Sequence, residues 1–181
     1  VDSYCIVDTG SSDDTKEKIT SFFDSKNVKG KIIDFPFTNF EECRNQSIIH
    51  GKDLGDFGFW MDADEQLILN EDFNKSSLDF FLNSEKPSQL LIECEYGGMN
   101  YKRSQFYNFK DNFYWYGPVH EILKTDNKNK KVSTFEFGKM FITPDGNSWK
   151  QEDLYKKYES HAEILLNYQE ENEWKDPRWT F

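Results

Sequence analysis

The chain reads as an α/β domain, a mixed sheet flanked by helices and followed by a C-terminal helix. Three observations predict this. Short apolar segments alternate with helical ones through the first half, the pattern of βαβ units. The run Phe57-Gly58-Phe59-Trp60-Met61 hardly alternates, as expected of a strand covered on both faces in a parallel sheet. Ser148 and Gln151 form a capping-box pattern opening a helix in which Leu154, Tyr158, Ala162 and Leu165 recur at four- and three-residue steps.

The elements follow in order. Val1 to Asp8 is a short apolar strand ending in an acid, and Gly10, Ser11 and Ser12 make the turn after it. Gly10 permits a backbone geometry that side chains hinder. Ser11 with Asp14 three residues on predicts a capping box for a helix from near Asp13 to about Phe23, with Ile19, Phe22 and Phe23 inward. Lys31 to Asp34 is a short strand, and Asn39 with Glu42 caps a helix reaching Ile48 or Ile49. After the strand ending at Asp62, Phe73, Leu78, Phe81 and Leu82 lie near helical spacing within a helix from Glu71 to Leu82. Leu90 to Glu95 and Gln105 to Asn108 are strands, broken apart by Gly97-Gly98. Lys124 to Lys131 is polar enough for an exposed hairpin loop, and Thr134 to Ile142 is a further strand.

Composition narrows the function classes. The 181 residues carry a formal charge of −11 with no basic stripe, so nucleic acid and anionic membrane surfaces are poor partners. No apolar stretch approaches the roughly 20 residues that span a bilayer, so no transmembrane segment is expected. Cys5, Cys43 and Cys94 are odd in number and lack paired metal-ligand spacing. They read as reduced core thiols, which favours a reducing, cytoplasmic compartment. The aromatic residues between Phe106 and Tyr116 either pack in the core or stack on a sugar face, core packing being the default.

Asp62-Ala63-Asp64-Glu65 concentrates carboxylates just beyond a strand, where ligands of open α/β sheets bind. Hard oxygen donors favour magnesium or manganese, ions that also take oxygens from a diphosphate. A solvated turn has the same composition. Asp8 is expected on the same sheet edge as Asp62, able to accept a hydrogen bond from a nucleobase or ribose; it also suits an ordinary turn acid.

Four segments together resemble the family 2 glycosyltransferases, nucleotide-sugar-dependent enzymes of the GT-A fold. Val7-Asp8-Thr9-Gly10-Ser11-Ser12-Asp13-Asp14-Thr15 is similar to the family's V-D-T-G-S-T-D-G-T segment, with Asp14 where glycine is usual. Phe35-Pro36 and Phe40-Glu41-Glu42-Cys43-Arg44-Asn45 resemble its F-P and F-x-x-x-R-N stretch, and Trp60 to Glu65 its W-L-D-A-D-E. Phe106-Tyr107-Asn108 with Trp115-Tyr116-Gly117-Pro118-Val119-His120-Glu121 resembles the L-F-R-N and W-x-G-x-V-H-E block of its bacterial-type branch. The resemblance covers most of the chain. It implies a GT-A-like, Rossmann-related mixed sheet at 1–147 that lacks the fold's first strand, usually found upstream of the opening strand, and at 148–181 a helix and the start of a helical repeat region, into which Asp176-Pro177-Arg178 fits.

The resemblance further implies an inverting transfer of a hexose from a nucleotide-diphosphate sugar to a hydroxyl of a glycan, lipid-linked sugar or protein. Asp64 ligates a manganese or magnesium ion bridging the phosphates, and Asp62 contacts the ribose or the metal. Asp8, with Gly10 and Ser11, holds the nucleotide. Arg44 and Arg103 either bind phosphate or act structurally, Arg44 by fixing the loop that carries Asp8. Glu121 is the candidate general base, with Glu65 as competitor, and His120 a candidate metal ligand or phosphate donor. The family's late I-x-H-x-G is here Ile142-Thr143-Pro144-Asp145-Gly146; proline ligates no metal, leaving Asp145 or His120 for that role. The alternative is a non-catalytic carbohydrate- or protein-binding module on the same scaffold. A phosphoryl-transfer enzyme using Asp62 and Asp64 suits the spacing but leaves the other matches unexplained.

Overall fold

The computed structural model describes residues 1–62, 65–142 and 154–173, and the fold is mixed α/β. The chain forms two compact units: Val1–Leu54, Tyr114–Lys124 and the C-terminal helix make the first, and Gly55–Phe113 with the strand after Thr125 makes the second. Stretch 143–146, the capping pattern at Ser148 and Gln151, Asp64, and Asp176-Pro177-Arg178 lie outside the described residues.

In the first unit β1 (Ser3–Asp8) pairs parallel with β2 (Lys29–Asp34), and α1 (Thr15–Ser25) supplies the crossover that a parallel pair requires. Phe23 stacks on Tyr4 with ring centroids 4.0 Å apart. Tyr4 itself lies over Gly30, where an added Cβ would come within 2.3 Å of the ring. Phe22 does not join this contact and is 57% exposed, contrary to expectation; Phe23 already fills the place over the strand pair. The expected Ser11 capping box is also absent. The N-cap is Asp14, without a side-chain bond, and Asp13 Oδ1 accepts the Thr15 N–H at 3.1 Å. The Ser11 N–H is engaged elsewhere, by Asp8.

Helix α2 (Phe40–Gly51) opens as predicted, with Asn39 Oδ1 accepting the Glu42 N–H at 2.8 Å. Strands β7 (Tyr114–Tyr116) and β8 (Ile122–Lys124) form an antiparallel pair. Helix α4 (Leu154–Glu171) buries Leu165 against Val119, with Phe40, Ile164 and Tyr168 around them. Tyr158, at 64% exposure, and Ala162 face solvent, so the inward stripe is rotated from the predicted one. Four-residue recurrence alone does not say which of two adjacent stripes meets the core.

The second unit holds a five-stranded sheet in the order β3, β6, β5, β9, β4. Strands β5 (Gln89–Tyr96) and β6 (Met99–Asn108) form a hairpin through Gly97 and Gly98, both at positive φ (+54° and +82°), as a two-residue turn of this hand demands. Strand β9 (Val132–Ile142) runs parallel to β5, and β4 (Glu65–Leu69) runs antiparallel to β9. Leu90, Ile92, Cys94, Phe106, Phe135 and Met140 form the core, and α3 (Lys75–Glu85) lays Leu78, Phe81 and Leu82 on it.

Three expectations need correction here. The run at Phe57 gives only β3 (Phe57–Phe59), half-buried at the sheet edge and antiparallel to β6, with Met61 44% exposed; a short apolar run does not reveal its partner's direction. Helix α3 starts at Lys75 rather than Glu71 because Asn74 Oδ1 takes the Ser77 N–H at 2.8 Å, leaving Phe73 before the helix. The Lys124 to Lys131 stretch connects β8 to β9, which belong to different sheets, so it closes no hairpin.

Candidate functional site

At the end of β1 the Asp8 carboxylate is buried and turned onto its own loop. Its Oδ2 accepts the Ser11 N–H at 3.0 Å and the Gly10 N–H at 3.3 Å. The Ser11 hydroxyl and these two N–H groups hold the Asp8 carboxyl below its ordinary range, against the opposing push of burial. Gly10 has φ +122°, a conformation open to glycine and strained for other residues. The segment that carries Asp8, Gly10 and Ser11 is therefore a preorganised turn with an ionised acid at its base. The Phe35 N–H extends the strand pairing by donating to the Asp8 carbonyl at 2.9 Å.

Elsewhere in the same unit, α2 clasps the loop from Trp115 to Glu121. Arg44 donates its Nε–H to Glu121 Oε1 at 2.5 Å and places its guanidinium 4.9 Å from the centroid of Trp115. Asn45 pairs with the Trp115 backbone in both directions, Nδ2 to the carbonyl at 3.0 Å and the N–H to Oδ1 at 2.8 Å. Glu41 Oε2 takes the Gly117 N–H at 2.6 Å, and the Phe40 N–H reaches the Pro118 carbonyl at 3.1 Å. Residues 41, 44 and 45 share a helix face because they are three and four apart. Glu41 and Asn45 lie in the F-x-x-x-R-N segment without a role assigned from the sequence, although that spacing of polar residues was the available signal. Arg44 is directed to Glu121 and Trp115.

His120 sits on the exposed side of this loop in the left-handed region (φ +51°), with its ring 6.0 Å from that of His161 on α4. His161 meets Phe40 edge-on, and its Nδ1 is buried without a partner among the described residues. Burial first, then Lys157 and His120, push the His161 imidazole below its ordinary value, while Glu121 opposes them.

In the second unit the acidic tip is braced from beneath. The Asp62 N–H donates to Glu65 Oε2 at 2.9 Å, and the Glu65 N–H returns to the Asp62 carbonyl at 3.1 Å. Glu65 is buried and ion-paired to Arg103, whose guanidinium lies 4.6 Å from the centroid of Trp60. Trp60 is in turn fixed to β6: its backbone N–H donates to the Gln105 carbonyl at 3.1 Å, its own carbonyl accepts from Gln105 Nε2 at 2.8 Å, and its indole N–H donates to the Ser104 carbonyl at 2.8 Å. Arg103 Nε is buried without a partner among the described residues.

Strand β1 pairs with β2, whereas β3 pairs with β6, so Asp8 and Asp62 do not end strands of one sheet as expected. Among the described residues no three His, Cys, Asp or Glu side chains gather in a metal-holding arrangement, and Asp64 is not among those residues. The three cysteines are free, with Cys43 and Cys94 buried. Phe106, Tyr107, Phe113 and Trp115 are buried, which assigns these members of the aromatic cluster to packing. No helix among the described residues is long and apolar enough to cross a membrane. No protein-family model matches the chain, and no curated protein matches it.

Proposed function

We propose that the chain is a GT-A-type glycosyltransferase that moves a hexose from a nucleotide-diphosphate sugar to a hydroxyl of a glycan, lipid-linked sugar or protein, with inversion. The observation that carries this reading is the braced tip. A buried Glu65, paired to Arg103, clamps the Asp62 backbone and fixes the start of an acidic motif whose second carboxylate belongs to Asp64. Carboxylate oxygens are the donor chemistry for manganese or magnesium, and Asp62 and Asp64 are the residues that would hold the ion. When bound, such an ion neutralises charge developing on a departing diphosphate.

The chain's own residues take the remaining roles in this reading. The acceptor oxygen attacks the anomeric carbon as the bond to the phosphate oxygen breaks, and the acceptor proton passes to a carboxylate, Glu121 or Glu65. Asp8, ionised and set in its Gly10–Ser11 turn, accepts hydrogen bonds from the nucleoside. Arg103 Nε, a buried donor with no partner among the described residues, is suited to a phosphate oxygen, since such orphaned donors are rare without a purpose. Arg44 acts as a positioning residue for Glu121. His120, on the exposed side of its loop, remains the candidate for a metal or phosphate contact. The free thiols support a cytoplasmic setting.

One observation favours the alternative, a non-catalytic binding module: both candidate bases are held by arginines, Glu121 by Arg44 and Glu65 by Arg103. Calorimetry with uridine diphosphate, with and without manganese, tests the metal-assisted reading. Binding that strengthens at least about tenfold with manganese supports it; binding indifferent to the ion leaves the module.

A further inference from the structure

The second unit has a cleft of about 250 Å³ where the N-terminal end of α3 approaches β9, and among the described residues Asp62, Glu65, Arg103 and Trp60 do not line it. Strand β4 separates the two: Glu65 begins the strand and Asn70, which lines the cleft, follows its last residue. Five strand residues place them roughly 16 Å apart.

The walls combine aromatic carbon with unengaged polar groups. Phe73 and Phe81 both meet Phe137 edge-on, at 6.1 and 5.9 Å between centroids. Asp72 and Glu136 line the same cleft, both exposed and both without an ion pair among the described residues. The Asn74 amide supplies donors, because its Oδ1 is already occupied by the Ser77 N–H and hydroxyl at 2.8 and 3.0 Å. Asn70 offers the converse: its Nδ2 donates to the Glu136 carbonyl at 2.9 Å, leaving the amide oxygen as an acceptor.

Acceptors, donors and phenyl surface in one small cleft match a polyhydroxylated ring, whose hydroxyls both donate and accept and whose C–H face is apolar. Two features disfavour a bound organic cation. The first turn of α3 presents the positive end of its dipole, and Lys102 Nζ already lies 3.3 Å from Thr134 Oγ1 on the cleft wall. A phosphate is disfavoured by Asp72 and Glu136. We propose that this cleft is a saccharide-binding subsite sized for a single neutral sugar ring, with Asp72 and Glu136 as the hydroxyl acceptors and Phe73, Phe81 and Phe137 as the apolar platform. The proposal does not rest on the transferase reading, since a binding module would use the cleft in the same way.

The test is amide-resolved NMR titration of the whole chain with glucose, galactose, mannose and N-acetylglucosamine, and with spermidine as a cationic control. At least one sugar is expected to give saturable shifts at residues 70–77 and 134–137 with millimolar affinity. Asp72→Asn with Glu136→Gln should weaken that binding at least fivefold while the melting temperature stays within the error of the parent, as neither side chain holds a structural bond. Phe73→Ala should weaken it likewise. Shifts that fail to saturate for every sugar, shifts mapping away from these residues, binding that survives the double variant, or binding by spermidine alone would each overturn the proposal.

Discussion

Glu65 and Asp62 lock each other: the Asp62 N–H reaches the Glu65 carboxylate at 2.9 Å while the Glu65 N–H returns to the Asp62 carbonyl at 3.1 Å. The side chain of Glu65 is 2% exposed and ion-paired to Arg103, so the geometry of the acidic tip depends on a charge pair beneath it. Replacing one partner of such a pair strands the other charge in a poorly solvated place. Glu65→Gln is expected to lower unfolding free energy by about 3 kcal/mol in urea titration. A change under about 0.5 kcal/mol, the size of an ordinary surface substitution, would contradict the brace.

The clasp of α2 on the Trp115–Glu121 loop makes a second prediction through Arg44 and Glu121. These residues are 77 positions apart in sequence and their side chains are 24% and 11% exposed, so their interaction is only partly screened. A double-mutant cycle with Arg44→Met and Glu121→Gln should give a coupling of about 1 to 2 kcal/mol. Additive effects would mean that the contact does not form in solution.

Acid should loosen the first unit through His161. Its folded-state affinity for a proton is lowered, chiefly by burial, so the unfolded chain binds the proton more readily near the ordinary value of 6.5. The stability from the neutral ring is present above that value and is lost as pH falls through it toward the depressed folded value. Unfolding midpoints measured at about pH 7.5 and about pH 5.5 should therefore drop more for the parent than for His161→Gln. Equal drops would place the acid sensitivity elsewhere.

Gly138 tests the pairing of β9 with β4. An added Cβ would lie 2.3 Å from the Ile68 carbonyl oxygen and 2.9 Å from the Leu69 Cα, both backbone atoms. The strands must part to admit it, so Gly138→Ala should cost about 2 kcal/mol or more in thermal or urea unfolding. Gly55, whose added Cβ would meet nothing closer than 3.9 Å, is the control, and Gly55→Ala should cost much less.

Local signals were legible in the sequence and pairings were not. Asn39 announced the start of α2, and Gly97-Gly98 announced the β5–β6 hairpin, because each works through its own backbone neighbours. The run at Phe57 predicts a strand of a parallel sheet but pairs antiparallel with β6, because its apolar content carries no information about its partner. Ser11 is no cap because α1 begins only at Thr15, and both the hydroxyl and the N–H of Ser11 turn to Asp8. Strand β4 carries no sequence signal of its own, being five residues that begin with the last acid of the tip, Glu65. Within the candidate site the residue types stood out, but Arg103 beneath Glu65 and Arg44 on Glu121 are long-range contacts that no local spacing encodes.

The central claim is that the acidic tip carries the metal-assisted chemistry of sugar transfer. The most direct test is hydrolysis of a panel of nucleotide-diphosphate sugars with manganese, comparing the chain with Asp64→Asn. The account predicts turnover of at least one donor, reduced about a hundredfold or more in the variant, the scale seen when a group stabilising transition-state charge is removed. Equal turnover by both chains, or no turnover of any donor by the parent, would contradict it.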